Sequence, residues 1–324
     1  MSARVRTVQA AAAGVRSFDI VPEGGARTYA PGSHINVSVL ISDEPDVRSY
    51  SLVGRLPVNG AYRIAVKRLP DSRGGSAYMS TLQPGAHLMI TEPASHFELQ
   101  FGHPEYLLLA GGIGITPLVG MAEALNRGSA PFRLAYAGRS RSEMPFVEQL
   151  AAMLGERLDL FVSDEGRRVD LLTEIGQLHP DGELYVCGPV RMRNAAFRAW
   201  ADQGREAVRM RFETFASGGH RPSRAFVVRV DELGVEVAIP ENRSMLEALR
   251  DAGVEVMWDC LRGECGLCAV PVLAADGDID HRDVFLSVEQ QAQGAVICTC
   301  VSRVVGGGIT IGAGLRSDLA PRRP

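Results

Sequence analysis

Residues 258–270 read WDCLRGECGLCAV, and residues 296–303 read VICTCVSR. Five of the six cysteines in the chain lie in these two pieces. Cys260, Cys265 and Cys268 follow the spacing C-x4-C-x2-C, the arrangement of a plant-type [2Fe–2S] loop completed by a distant fourth cysteine. Three thiolates that converge on a compact cluster need a backbone that wraps closely around it. Gly263 and Gly266 allow close approaches that a Cβ resists. Backbone N–H groups of such a loop can then donate to the cluster sulfurs and tune the reduction potential. The alternatives are structural zinc and buried free cysteines. Zinc favours paired C-x2-C knuckles or added histidines, and only His281 lies nearby. Cys298 and Cys300 are two apart, so in a strand both side chains point to one face. Periodicity leaves the choice of fourth ligand open.

Upstream of this region the chain changes character twice. Residues 1 to about 100 read as short strands with turn signals: SHINVSVLI, RSYSLVG, YRIAVKRL and GAHLMITEP. Strands at this spacing suggest a β-barrel or sandwich. Near residue 105 the pattern becomes YLLLAGGIGITPLVGMAEALNRG, a buried strand, a glycine turn and a helix. Thr116 is expected to cap that helix, Pro117 suits its first position and Gly128 its end. FRLAYAG, LDLFVS and ELYVCGP alternate with helical segments, which predicts a parallel α/β sheet. ASGGHRPSR (216–224) is polar and rich in Gly and Ser, as a linker is. A third pattern of strands around the helix SMLEALRDAG follows.

Composition bounds the function. At 324 residues the chain exceeds the size at which a single core stops growing. Apolar residues make up 46% and charged residues 22%, the balance of a globular protein. A net charge of -4 and the lack of any basic run argue against nucleic-acid binding. No apolar run approaches the ~20 residues that span a bilayer, and MSARVRTVQAAAAGVRSF holds no signal-peptide core. A cytoplasmic, reducing compartment is expected, where clustered cysteines bind metal rather than form disulfides.

Three further stretches carry chemistry. RSYSL (Arg48–Leu52) sets an aromatic ring and hydroxyls on a short strand, suiting the flat ring and polar edge of a flavin; an ordinary barrel strand reads the same way. KRLPDSRGGSAYMS brings Gly74, Gly75 and Ser76 to a helix start, where N–H groups and a hydroxyl form a phosphate cradle. AGGIGITP places glycines and a helix start after a buried strand, where an open α/β sheet binds pyrophosphate. YVCGPVRM repeats that arrangement at Cys187, Gly188 and Pro189, although a lone buried cysteine is by default core packing.

In this order the motifs resemble the ferredoxin reductase-like oxidoreductases, specifically the phthalate dioxygenase reductase and vanillate O-demethylase reductase family. The resemblance spans almost the whole chain. It implies an α+β and α/β multidomain protein: an N-terminal antiparallel flavin β-barrel (1–102), a central parallel α/β NAD domain (103–215), a linker (216–224) and a C-terminal β-grasp plant-type ferredoxin domain (225–324). Arg48, Ser49, Tyr50 and Ser51 then belong to the flavin side, with Gly74, Gly75 and Ser76 on the FMN phosphate and Lys67 a further cofactor-binding residue. Gly112, Gly114, Cys187, Gly188 and Pro189 belong to the nicotinamide turns. Thr116 sits at the junction of flavin and nicotinamide; with Cys187 it is the expected catalytic positioning residue. Phe215 is a candidate ring-shielding aromatic, with core packing the alternative. Cys260, Cys265, Cys268 and Cys300 ligate the cluster, because CVSR matches the family pattern best when Cys300 is aligned.

The chemistry so implied is a change of electron number. NADH delivers a hydride to FMN, and single electrons leave through the [2Fe–2S] cluster to a terminal Rieske-type oxygenase acting on an aromatic acid or other small organic substrate. Donation to a cytochrome P450 and a non-catalytic redox sensor are the alternatives. NADH rather than NADPH follows from the family. Arg139 and Arg141 stand where they could meet a ribose 2′-phosphate, although a solvated turn reads the same way. The chain departs from the family at Ala94 and Ser95, where relatives often carry Arg and Asn, and at the doubled cysteine of CTC.

Overall fold

A computed structural model describes residues 1–41, 44–69, 74–215 and 223–312. The N-terminal strands are β1 (Ser2–Ala12), β2 (Val15–Pro22), β3 (His34–Ile41), β4 (Glu44–Ser51), β5 (Tyr62–Lys67) and β6 (His87–Met89). They form an antiparallel sheet in the order β5-β2-β1-β6 and a β3-β4 hairpin. Bridges Val37–Ile90 and Leu52–Ile64 join the two edges of the hairpin to the two edges of the sheet, closing a barrel. Alternation explains the closure: Ile35, Val37 and Val39 point inward from β3 to meet Phe18, Ile20 and Ile64. Helix α1 (Gly75–Thr81) packs Met79 into the same core.

The central sheet has the order β11-β10-β7-β8-β9 and is parallel throughout. Its strands are β7 (Tyr106–Gly111), β8 (Phe132–Gly138), β9 (Leu158–Val162), β10 (Glu183–Cys187) and β11 (Met210–Glu213). All six residues of β7 are buried, as expected of a strand covered on both faces. Tyr106, Leu108 and Ala110 face α2 (Ile115–Arg127) and α3 (Val147–Leu154). Leu107 and Leu109 face α4 (Leu171–Gly176) and α5 (Val190–Asp202). Each fully buried leucine here contributes about 2 kcal/mol. Thr116 is not the cap of α2. A 3₁₀ turn over Gly112–Gly114 runs straight into the helix, making Gly114 the N-cap and Thr116 the second helical residue.

The C-terminal part holds β12 (Phe226–Val230), β13 (Val235–Ile239), β14 (Ala269–Ala275), β15 (Asp278–Asp280), β16 (Val296–Cys298), β17 (Arg303–Val305) and β18 (Ile309–Ile311). A mixed sheet β13-β12-β18-β14-β16 and a β15-β17 pair enclose α6 (Met245–Asp251), whose Met245 and Leu249 reach the core. Ser244 and Glu247 cap α6 reciprocally, and α7 (Val288–Gln293) precedes β16. Strand β16 stops at Cys298, and Cys300 lies in the turn that follows. The two cysteines are therefore not two positions of one strand face. The chain divides into two units, Met1–Thr214 and Phe215–Pro324. Most of the expected linker, 216–222, lies outside the described residues. No helix among the described residues is long and apolar enough to cross a membrane.

Candidate functional site

Two glycine turns meet at the carboxyl ends of β7 and β10. A Cβ on Gly114 would overlap the Cys187 carbonyl, and one on Gly111 would come 2.6 Å from Pro189 Cδ. The turns at 111–116 and 187–189 therefore touch through backbone that only glycine permits. Thr116 is 2% exposed, and its Oγ1 donates to the Ile113 carbonyl at 3.0 Å, fixing the turn. Cys187 is fully buried and pairs with Ala110 on one side and Glu213 on the other.

From this junction a cavity of about 710 Å³ runs across the carboxyl ends of β8 and β9. Gly112 and Pro189 line one end; Phe161, Asp164 and Val169 line the other. Its volume lies within the range of small-molecule and cofactor sites. Lys67 lines this cavity and pairs with Glu143 at 3.0 Å.

The barrel strand β4 presents the four expected residues in turn. Arg48 is ion-paired with Asp46 at 2.6 Å. Ser49 donates to Asn36 Oδ1 at 2.6 Å. Tyr50 packs against the barrel core, and burial pushes its phenol well above the ordinary value. Ser51 donates to Glu213 Oε2 at 3.1 Å. At the start of α1, a Cβ on Gly75 would meet Arg48 at 2.8 Å, so glycine keeps the backbone open beside the guanidinium. Ser76 Oγ accepts from the Leu69 N–H at 3.2 Å. A guanidinium beside two successive glycines at a helix start suits a flavin phosphate. At the departure, Ala94 bridges His34 through backbone, and the Ser95 hydroxyl accepts from the Phe97 N–H.

In the second unit the cysteine loop folds on itself. Cys260 Sγ accepts from the N–H groups of Arg262, Glu264 and Cys265, each at 3.4 Å. A hydrogen bond from the Cys265 thiol, followed by these amides, lowers the Cys260 pKa despite burial. Hydrogen bonds from Cys298 and Cys300 do the same for Cys268. The Cys268 and Cys300 sulfurs are 3.1 Å apart. Gly263 has φ +71°, and a Cβ there would come 2.6 Å from Val301 Cγ2. The thiols of Cys298 and Cys300 are both pushed up, first by the hydrogen bond each makes with Cys268 and then by burial. Cysteine sulfurs gathered this closely, with backbone amides donating to Cys260, fit the thiolate ligation of an iron–sulfur cluster. Phe215 begins this unit and is exposed.

Comparison with known proteins agrees with both halves. An oxidoreductase FAD-binding domain matches residues 9–99, and a 2Fe-2S iron-sulfur cluster binding domain matches residues 228–305. The chain is 36% identical over 307 residues to the phenoxybenzoate dioxygenase subunit beta of Ectopseudomonas oleovorans, covering 93% of this chain and 94% of that one. It superposes on phthalate dioxygenase reductase with a TM-score of 0.80 at 27% identity, over 96% and 97% of the two chains. The chain belongs to the phthalate dioxygenase reductase family. It also matches an intact type IV self-sufficient cytochrome P450 monooxygenase, with a TM-score of 0.69 and 32% identity. That match covers 96% of this chain and spans about two-fifths of the longer one, 40%.

This reductase is thus an oxidoreductase with a flavin-binding domain, a nucleotide-binding sheet and a [2Fe–2S]-binding domain. One residue that sequence reasoning passed over stands at the junction. Glu213 is 1% exposed, pairs in register with Cys187 and accepts from Ser51. Its signal lay in FETF, where a charged residue occupies a strand end that the flanking pattern buries.

Proposed function

We propose that this reductase is the NADH-dependent component of a Rieske-type oxygenase system, with FMN as its flavin and an aromatic acid or other small organic compound as the substrate of its partner. The observation that carries the reading is the Ser51–Glu213 hydrogen bond, because Glu213 is the register partner of Cys187. Through it the flavin-side strand and the nicotinamide turns meet at one place. Arg48–Ser51 hold the flavin edge, and Gly74, Gly75 and Ser76 hold its phosphate. Gly112, Gly114, Thr116 and Cys187–Pro189 hold the nicotinamide end. Cys260, Cys265, Cys268 and Cys300 ligate the cluster. The domain limits are those read from the sequence: barrel to 102, nucleotide domain to 215, ferredoxin domain from 225.

When bound, the cofactors supply hydride acceptance and single-electron transfer. The protein's share is placement. Thr116 fixes the turn by its bond to Ile113, the parallel ladder fixes Cys187, and the packed turns exclude water between them. The names of the relatives support an oxygenase as acceptor, and the likeness to a fused P450 supports a P450 as the second reading. A reducing cytoplasm would keep the thiols available.

The test is anaerobic addition of NADH to the purified protein, with flavin extraction and iron and sulfide analysis. We expect FMN, about two irons and two acid-labile sulfides per chain, and bleaching of both flavin and cluster bands. Extracted FAD would overturn the FMN assignment. No bleaching by NADH would overturn the reductase reading.

A further inference from the structure

An arginine is rarely buried unless its charge and its fork of N–H groups find partners. The C-terminal unit buries two, Arg282 and Arg303, at 8% and 4% exposure. They stand in the stretches DHRD (280–283) and CVSR (300–303). Arg303 donates to the carbonyls of Arg224 at 3.0 Å, Pro240 at 2.7 Å and Arg243, and its guanidinium lies 5.1 Å from the Phe226 ring centroid. Arg282 pairs with Asp280 through Nε and Nη2, each 2.8 Å from Oδ2, and its Nη1 donates to Ser223 Oγ at 2.9 Å. Ser223 and Arg224 are the last two residues of the expected linker. The two guanidiniums therefore fasten that end of the linker to the fold just before β12 begins at Phe226.

The same arginines are knitted to the cysteine site. Arg303 opposes Asp280 in the β15–β17 ladder, and the Arg282 N–H donates to Ser302 Oγ at 3.0 Å. Ser302, two residues after Cys300, donates in turn to Asp283 Oδ1 at 2.9 Å. The N–H groups of Val284 and Phe285 then donate to the Gly263 carbonyl, inside the C-x4-C loop. A path of hydrogen bonds and short backbone steps thus runs from the linker end, through Arg282 and Ser302, to both pieces of the cluster site. We infer that Arg282 and Arg303 are positioning residues for electron transfer from flavin to cluster, because they fix the linker end against the strands that carry the cluster ligands. The inference rests on the reading of this chain as a flavin-to-cluster reductase. A tether raises the effective concentration of one module at another only within the limits its free length sets. Holding residues 223–225 shortens that free length and fixes where it starts; releasing them does the opposite. Because both guanidiniums are buried, water and salt weaken these bonds little.

The experiment uses the full chain with its cofactors and the variants Ser223→Ala and Arg303→Lys, alone and combined. Anaerobic stopped flow at saturating NADH separates flavin reduction from the later reduction of the cluster. Flavin reduction should keep its rate, and the cluster its absorbance and midpoint potential. Cluster reduction should slow about threefold in each single variant and about tenfold in the double variant. A merely structural loss would instead move the cluster spectrum, the potential and the melting temperature together. Tryptic cleavage after Arg224, mapped by mass, should quicken about fivefold in each variant, since each loses a bond that holds this stretch. If Arg303→Lys fails to assemble its cluster, Ser223→Ala decides alone, because it removes one hydroxyl and no buried charge. Cluster reduction at the wild-type rate in Ser223→Ala, or unchanged cleavage, would overturn the inference. Faster cleavage in a protein whose flavin NADH leaves oxidised would keep the clamp and remove the reductase reading.

Discussion

Ser51 Oγ lies 3.1 Å from Glu213 Oε2, a hydrogen bond between side chains 4% and 1% exposed and 162 positions apart in sequence. One residue ends the flavin-side strand of the barrel; the other ends the edge strand of the parallel sheet. A buried carboxylate needs such a donor, because an unpaired one costs several kcal/mol. The bond therefore fixes the carboxylate beside Cys187 and the hydroxyl beside Tyr50. Ser51→Ala and Glu213→Gln should each slow flavin reduction by NADH about 10- to 100-fold. The [2Fe–2S] spectrum should be unaltered. Anaerobic stopped-flow absorbance measures the rate, and a rate within a factor of about two of wild type would remove Ser51 and Glu213 from the junction.

The glycine contacts make a second prediction. Since a Cβ at position 114 would overlap the Cys187 carbonyl, Gly114→Ala must separate the two turns. Overpacking of this kind costs about 1–3 kcal/mol. Nucleotide binding should weaken along with stability, because the same turns line the cavity. Gly128→Ala serves as the control, since its nearest neighbour is 3.5 Å away and its φ of -86° is ordinary. Calorimetric binding of ADP-ribose and thermal unfolding of both variants check this. Equal behaviour of the two would refute it.

The cysteine spacing and the glycine turns were legible in sequence because their chemistry is local. The C-x4-C-x2-C loop, the alternation of β3 and the apolar run of β7 each express their structure within about ten residues. What escaped was set by distance in sequence. Glu213 gains its partner from a strand 162 positions away, and no local pattern reports that. Thr116 looked like a helix cap because Thr precedes a Pro and an apolar period. The 3₁₀ turn over Gly112–Gly114 had already begun the helical path, so the hydroxyl bonds back to Ile113 instead. Lys67 is expected among the cofactor-binding residues by resemblance alone, and its ion pair with Glu143, 76 positions on, is likewise beyond any local pattern. Arg139 and Arg141 read as phosphate ligands or a solvated turn until Asp164 and Glu165 are seen opposite them.

Acid should weaken the barrel through one cluster. Asp19 is 8% exposed on β2 and takes two bonds from Arg63, at 2.8 and 3.2 Å, and one from Thr7 at 2.9 Å. Burial alone would raise its pKa, but the bonds from Arg63 and Thr7 and the charges of Arg63 and Arg6 hold it below the ordinary 3.8. A carboxylate depressed in the folded state contributes its full stability above the unfolded value and loses it as pH falls through the folded one. Asp19→Asn should therefore cost about 1–2 kcal/mol near neutral pH. The gap between variant and wild type should be flat from about pH 5 to 8 and close below about pH 4. Thermal unfolding followed by flavin release gives the midpoints; a gap independent of pH down to about 3 would exclude this origin.

The doubled cysteine yields the last prediction. Both Cys298 and Cys300 reach Cys268, but their surroundings differ. Cys298 ends β16, is fully buried, pairs in register with Ala269, and feels the Asp283 carboxylate. Cys300 stands in the turn after the strand, its sulfur 3.1 Å from Cys268 Sγ. The same turn is held by Ser302, whose N–H donates to the Cys298 carbonyl at 3.0 Å and whose hydroxyl donates to Asp283 at 2.9 Å. We expect Cys298, fixed in the strand ladder, to serve as a small apolar side chain and Cys300, in the turn beyond it, to serve as the ligand. Cys300→Ser should abolish the [2Fe–2S] absorbance and the reduced-cluster paramagnetic resonance signal while flavin reduction by NADH continues. Cys298→Ala should keep both signals, at a stability cost of about 1 kcal/mol. Loss of the cluster in Cys298→Ala with its retention in Cys300→Ser would reverse the assignment. Retention in both would mean that either sulfur can complete the site, which their shared reach to Cys268 makes sterically accessible once the other is gone.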